Sequence, residues 1–329
     1  MLKNLLMFLA IAMSFNAVAA QKVNGAGATF PYPIYSKWFS EYQKTHKDVE
    51  FNYQSIGSGG GIKQVLAQTV DFGATDAPMS DDELKSAKTP IRHIPTVLGA
   101  VTVAYNVAGL PANLNLDGAT LANIFLGTVT KWNDPTIAKL NPKAKLPATD
   151  ILVVRRSDGS GTTAVFTEYL ANVSADFKTK VGAGKNVNWP SGIGAKGNEG
   201  VTAMVAQTDG AIGYTELAYA INAQLHMASM KNAKGEFVSP SVASITAAAA
   251  SVKKFDGDLR MSIINADAKG AYPISSFTYI LLPELASAQI TATKAFLGWA
   301  LKDGQKFAAE LHYAPLPKKM SESLLKTLK

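Results

Sequence analysis

Residues 155–163 read Arg155, Arg156, Ser157, Asp158, Gly159, Ser160, Gly161, Thr162 and Thr163. An apolar, β-branched run at 151–154 precedes them, and Ala164, Val165, Phe166, Tyr169 and Leu170 follow at a spacing that suits one helical face. The order is strand, glycine- and hydroxyl-rich turn, helix. The first turn of a helix carries N–H groups without intrahelical partners and the positive end of the macrodipole, so such a turn suits an anion. Gly159 and Gly161 allow close backbone approach, Ser160 and Thr162 bring hydroxyls, and Arg156 offers a planar charged fork. The chemistry on offer is recognition of a small oxyanion. Asp-Gly-Ser-Gly is also an ordinary turn, favoured for backbone reasons alone, so the reading gains its weight from recurrence.

The device recurs twice. Gly57, Ser58, Gly59, Gly60 and Gly61 follow a strand-like stretch at 49–55 and open the amphipathic pattern of Ile62, Val65 and Leu66. Gly25, Ala26, Gly27, Ala28, Thr29 and Phe30 lead into Ile34, Tyr35, Trp38, Phe39 and Tyr42 at helical spacing, with Thr29 near the helix start. A dinucleotide fingerprint fails there, because Phe30 stands at the third glycine position. A phosphate-binding P-loop fails as well, since Gly184 and Lys185 precede Asn186 rather than Ser or Thr. Asp76 ends a short strand predicted at 70–75, where ligand groups gather in open α/β sheets; a turn or cap aspartate is the plain alternative.

These loops need a scaffold. The apolar stretch 92–107 is long enough for two strands or for one that passes between lobes. Ser80 with Glu83 reads as a capping box, and Asp134 with Pro135 as the start of a helix at 135–140. Further helices are expected at 121–125, 246–252, 290–300 and 306–311, and strands at 210–215 and 272–282. The glycine-rich stretch 191–200 reads as a mobile surface loop rather than a site. Strands alternating with helices imply an α/β fold.

The length of 329 residues suits about two domains, and 47% hydrophobic with 17% charged residues describes a folded chain. Lys3, an apolar core at 5–13 and the small residues Ala17, Val18, Ala19 and Ala20 form a secretory signal, with cleavage near Ala20. No cysteine is present, which excludes disulfides and thiolate chemistry. Removing residues 1–20 takes away one lysine and no acid, so the charge falls from +7 to +6. The lysines are scattered without interleaved aromatics, which argues against nucleic acid as a partner.

Catalytic constellations are missing. His46, His93, His226 and His312 lie far apart without metal-ligand spacing, and neither Ser58 nor Ser160 sits in a G-x-S-x-G elbow. Asp76, Asp81, Asp82 and Glu83 could gather around a divalent metal, but acids at a helix start suit the dipole without one. The sequence thus reads as a binding protein, not an enzyme, with no cofactor.

Taken together, the segments at 25–38 (GAGATFPYPIYSKW), 52–64 (NYQSIGSGGGIKQ), 69–78 (TVDFGATDAP), 125–142 (FLGTVTKWNDPTIAKLNP) and 153–170 (VVRRSDGSGTTAVFTEYL) resemble the periplasmic phosphate-binding proteins that feed bacterial ABC-type phosphate importers. The resemblance covers nearly the whole mature chain. It implies a two-lobe type II periplasmic-binding-protein fold, with residues 21–102 and 273–329 as lobe 1, residues 103–272 as lobe 2, and crossing strands near 98–106 and 270–282. One dehydrated phosphate would sit between the lobes. Thr29, the Phe30 backbone, Ser58 and Asp76 would hold it from lobe 1, and Arg156, Ser160, Gly161 and Thr162 from lobe 2, with Asp158 paired to the arginine. The implied partners are inorganic phosphate and an inner-membrane ABC phosphate permease, and the implied state is a periplasmic monomer. Many relatives carry a second serine after Ser58; Gly59 removes that hydroxyl, which should tune affinity rather than abolish it.

Asp76 fits an anion site once protons are counted. Phosphate near neutral pH keeps a proton that a carboxylate can accept, whereas sulfate has none, and two facing sets of lone pairs repel. An exported phosphatase or phosphoryl-transfer enzyme, and a carrier of another tetrahedral oxyanion, are the alternative readings.

Overall fold

The computed structural model describes residues 20–252 and 259–328, so the leader predicted at residues 1–20 lies outside them apart from Ala20. The chain runs β1 (Gln21–Gly27), α1 (Tyr32–Thr45), β2 (Val49–Ser55), α2 (Ser58–Ala67), β3 (Phe72–Thr75), α3 (Asp81–Lys85) and β4 (Ile91–Asn106). It continues through β5 (Asn115–Leu116), α4 (Gly118–Phe125), α5 (Pro135–Leu140), β6 (Leu152–Arg156), α6 (Gly161–Val173), α7 (Ala175–Lys180), β7 (Ile193–Ala195), α8 (Gly197–Gln207), β8 (Ala211–Glu216) and α9 (Leu217–Asn222). The remainder is β9 (His226–Met227), β10 (Ser229–Lys231), β11 (Phe237–Val238), α10 (Val242–Ala249), β12 (Ser275–Pro283), α11 (Ala288–Ala300) and α12 (Lys318–Thr327).

Neighbouring strands follow the order β2-β1-β3-β12-β4-β8-β6-β7, with β9 beside β4, and β11-β10-β5 form a separate small sheet. The stretch 92–107 resolves as one strand with two partners. Residues 91–100 of β4 pair antiparallel with β12, and Val101 to Asn106 pair antiparallel with β8. The strands β2, β1, β3 and β12 lie to one side of that change of partner, and β8, β6 and β7 to the other. Nearly every β4 side chain is buried, which explains a continuous apolar run in place of an alternating one. In lobe 1, Phe39 stacks on Phe51 with ring centroids 5.1 Å apart and meets Phe296 at 4.9 Å. In lobe 2, Phe166 stacks on Tyr214 at 4.3 Å and meets the edge of Phe125 at 4.7 Å.

Two expectations change. The stretch 191–200 is not a loop: Ile193–Ala195 pair with β6, and α8 follows. Ala195, Val201 and Val205 bury against Val154, and Gly192 and Gly197, both at positive φ, turn the chain at either end of β7. The helix expected at 306–311 is instead two short 3-10 turns, Gly304–Phe307 and Ala309–Leu311. The chain must double back there so that Ala314 can exchange backbone hydrogen bonds with Leu98 at 2.9 and 3.0 Å.

The strands β1, β3 and β6 all end at the same edge of their lobes, and a helix starts after β1, β2 and β6. How closely α2 can approach is set by Gly61. A Cβ there would stand 2.5 Å from Gly27 Cα, 2.6 Å from Ala26 O and 2.9 Å from Ala74 O, all backbone atoms. Gly61→Ala should therefore push α2 off the sheet and lower stability by about 1–3 kcal/mol. Gly298→Ala, in α11 with open space around the added methyl, should instead stabilise by about 0.5–1 kcal/mol. Urea midpoints of the two variants check this, and a Gly61→Ala chain as stable as the original would show that α2 is not held against backbone.

Candidate functional site

The site begins with three backbone turns. Gly57, at φ 88°, sends the chain from β2 into α2, so Ser58 starts the helix fully buried. Ser160 caps α6 by accepting the Thr163 N–H at 3.0 Å. Thr29 and Phe30, both buried, precede α1. Among the described residues, the N–H groups of Phe30, Ser58, Gly161 and Thr162 have no acceptor. Buried backbone donors are almost always paired, so these four are available to an acceptor brought into the cleft.

The side chains complete the enclosure. Arg156 is 3% exposed; its Nε donates to Asp158 Oδ1 at 2.7 Å, its Nη2 to Asp158 Oδ2 at 2.5 Å and its Nη1 to Thr162 Oγ1 at 3.3 Å. The Asp158 fork thus fixes the plane of the guanidinium, and Oδ1 also accepts the Gly197 N–H at 3.1 Å. The Arg156 N–H donates to the Tyr214 hydroxyl at 3.1 Å, and that ring is the one stacked on Phe166. Position and charge are both anchored in the lobe 2 core.

Asp76 faces this arginine from the end of β3. Its Oδ1 accepts from Thr278 Oγ1 at 2.9 Å, its Oδ2 from Ser58 Oγ at 3.4 Å, and its own N–H donates to Ser58 Oγ at 3.2 Å. Gly161 is one point of contact between the two sides. A Cβ on it would lie 2.3 Å from Ser58 Oγ and 2.6 Å from Asp76 Oδ2, so only glycine lets the α6 N-terminus reach this carboxylate. Gly59 plays a related part: its N–H donates to Gly159 O across the cleft at 2.9 Å, and an added Cβ would sit 3.1 Å from Gly159 Cα. At the rim, Lys185 Nζ bridges to both carboxylate oxygens of Glu83 at 3.0 and 3.2 Å.

The residues expected around an oxyanion therefore converge on one place: Thr29, Phe30, Ser58 and Asp76 from one side, and Arg156, Asp158, Ser160, Gly161 and Thr162 from the other. The acids considered for a metal do not converge. Glu83 closes the capping box with Ser80 and pairs with Lys185, Asp81 pairs with Arg260 at 2.7 Å, and Asp82 is exposed. Among the described residues no group of three metal-ligating side chains is present.

Sequence reasoning missed Asn198. This fully buried amide, second residue of α8, donates from Nδ2 to Thr29 Oγ1 at 2.7 Å and to Thr162 Oγ1 at 3.2 Å. A signal was present: Gly197 followed by Val201 and Val205 repeats the glycine-turn-into-helix pattern of the other loops. Thr278 was missed too, a hydroxyl within an otherwise apolar strand.

Burial pushes the Asp76 carboxyl up from 3.8 to about 7, against the hydrogen bonds of Thr278 and Ser58 and the charge of Arg156, which favour its ionised form. Asp158 moves the other way: burial alone would raise it, but the hydrogen bonds and charge of Arg156 hold it below the usual carboxylate range. The raised group has a thermodynamic signature. Between about 4 and about 7 the folded chain keeps the Asp76 proton that the unfolded chain releases, so its contribution to stability is lost as pH rises through about 7. Without added anion, the melting temperature should fall over that interval, and Asp76→Asn should flatten the fall. Buried Glu216, also raised, leaves its own share of the slope in place. A slope unchanged by Asp76→Asn would show that Asp76 does not titrate there.

The family model described as PBP superfamily domain matches residues 16–303. The phosphate-binding protein PstS of Xylella fastidiosa is 46% identical over 300 residues, covering 90% of this chain and 82% of its own. PstS of Pasteurella multocida is 46% identical over 325 residues, covering 97% and 93%. Among solved structures, a high-affinity periplasmic phosphate-binding protein with bound phosphate matches at a TM-score of 0.74 and 23% identity, covering 92% of this chain and 93% of that one. A phosphate-binding protein from Stenotrophomonas maltophilia matches at 0.72 and 22%, covering 93% and 94%. These structural likenesses carry the two-lobe α/β fold, and the sequence identities carry the relationship. The chain belongs to the PBP superfamily and, within it, to the PstS family of phosphate-binding proteins.

Proposed function

We propose that this chain binds one inorganic phosphate, stripped of water, between its lobes and delivers it to an inner-membrane ABC phosphate permease after closing around it. It acts in the periplasm as a monomeric carrier, once its leader is cleaved near Ala20. It is a binding protein rather than an enzyme and needs no cofactor. The relatives named as phosphate-binding proteins support this reading, and no helix among the described residues is long and apolar enough to cross a membrane.

The observation that carries the ligand assignment is a buried carboxyl, Asp76, in a site otherwise made of donors. The N–H groups of Phe30, Ser58, Gly161 and Thr162, the hydroxyls of Thr29 and Ser160 and the Arg156 guanidinium all suit oxyanion oxygens. In its ionised form Asp76 suits only an oxyanion that brings a proton. Phosphate near neutral pH does so and sulfate does not, which makes Asp76 the residue that discriminates between them.

We take residues 21–102 with 273–329 as lobe 1 and 103–272 as lobe 2. The change of β4 partner between Ala100 and Val101 supports this division, as does Tyr272, whose N–H binds Ser244 O of α10 at 3.1 Å just before β12 begins. With ligand groups on both lobes, binding favours closure about these crossing strands.

Calorimetric titration of the anion-free mature chain tests the ligand. Phosphate should bind tightly, sulfate about 10⁴-fold or more weakly, and Asp76→Asn should narrow that ratio to about 100-fold or less. Absence of phosphate binding, or equal binding of sulfate, would sink the reading. Small-angle scattering tests the motion: the radius of gyration should shrink on adding phosphate, and an unchanged radius would count against hinge closure.

A further inference from the structure

Asn198 has every hydrogen-bonding valence of its amide engaged. Its Oδ1 accepts the Glu216 N–H at 3.0 Å and faces Thr215 Oγ1 at 3.2 Å. A backbone N–H can only donate, so this contact fixes which way the amide is turned. The two Nδ2 protons must then go to Thr29 Oγ1 and Thr162 Oγ1, at 2.7 and 3.2 Å.

The consequence lies in the two hydroxyls. A threonine oxygen has two acceptor positions and one proton. Thr29 Oγ1 already receives the Asn198 backbone N–H at 3.2 Å in addition to Nδ2, and Thr162 Oγ1 receives Arg156 Nη1 at 3.3 Å in addition to Nδ2. All four donors are obligate. Both acceptor positions are therefore filled on each oxygen, and each proton is left over. Among the described residues neither proton has an acceptor.

We infer that Asn198 is a positioning residue that fixes the proton direction of two hydroxyls, one from each lobe, so that Thr29 and Thr162 can act on the cleft only as donors. This rests on the reading of the cleft as a phosphate site. The hydroxyls never offer lone pairs to the anion, and they need no reorientation when it arrives. Because Asn198 reaches across to Thr29, that order on the lobe 1 hydroxyl is imposed by lobe 2 as the lobes meet.

Asn198→Asp inverts the polarity with little change of shape. An ionised carboxylate keeps the Glu216 N–H but asks Thr29 and Thr162 to donate to it, which takes both protons away from the anion. Calorimetry with inorganic phosphate on the full mature chain reads the effect as a double-mutant cycle with Thr162→Val. Thr162→Val alone should weaken binding about 10- to 100-fold and Asn198→Asp about 100-fold or more. In the Asn198→Asp background, Thr162→Val should cost less than about threefold, because that proton is already diverted.

A packing role would give different numbers. Aspartate would then be tolerated better than alanine, and the two losses would multiply; either result overturns the inference, as does an Asn198→Asp chain that binds within about threefold of the original. Melting curves establish that each variant is folded. Should Asn198→Asp not fold, Asn198→Ala carries the test: Thr29 and Thr162 become free to turn, so affinity should fall about tenfold, and unchanged affinity overturns the inference. An unsubstituted chain that binds no phosphate overturns the reading of the site itself and, with it, the role given to Asn198.

Discussion

A charge removed from water must find a partner for each of its hydrogen-bonding valences, or its burial is too costly to sustain. That constraint organises this molecule. Arg156 is buried because Asp158 takes two of its donors and Thr162 another, and Asp158 is buried because Arg156 and the Gly197 N–H answer it. The same rule makes Asp76 informative. Thr278 and Ser58 satisfy part of its carboxyl, and burial raises it to about 7 because those two hydroxyls and the Arg156 charge do not fully offset the loss of water.

Convergence of these groups follows from strand direction. β1, β3 and β6 end facing a common cleft, and helices that open from loops after β1, β2 and β6 bring their first turns there. β4 serves both lobes, with one set of neighbours before Ala100 and another after Val101. A strand shared in this way ties the two sets of neighbours together through one unbroken run of backbone hydrogen bonds.

Legibility from sequence differed by the range of the signal. The loops around Thr29, Ser58 and Ser160 were readable because a turn rich in glycine and hydroxyls before an amphipathic run is a local pattern, and Ser80 with Glu83 is a local cap. The length of β4 was readable as an apolar run, but its change of partner was not, because pairing is set by strands more than a hundred residues away. Asn198 was lost because glycines on both sides resemble a surface loop; only the burial of Val201 and Val205 against Val154 turns that stretch into a strand and a helix. Thr278 has no local mark at all, since its meaning comes from Asp76, two hundred residues earlier. The fold at 304–311 departed from a helical pattern because the return of Ala314 to Leu98 outweighed local propensity.

The backbone contact between Gly59 and Gly159 bears on how firmly the two sides of the site are held together. Its 2.9 Å hydrogen bond joins the first turn of α2 to the loop before α6, and water can replace either group's partner. A bond of that kind is worth about 0.5–1.5 kcal/mol net, a factor of only about two to twelve in an equilibrium constant. A serine at position 59 would crowd this contact, with its Cβ 3.1 Å from Gly159 Cα, so the two main chains would have to give by a few tenths of an ångström. The seam is thus tight in geometry yet weak in free energy: two main chains lie in direct contact, and that contact adds little to what holds them together.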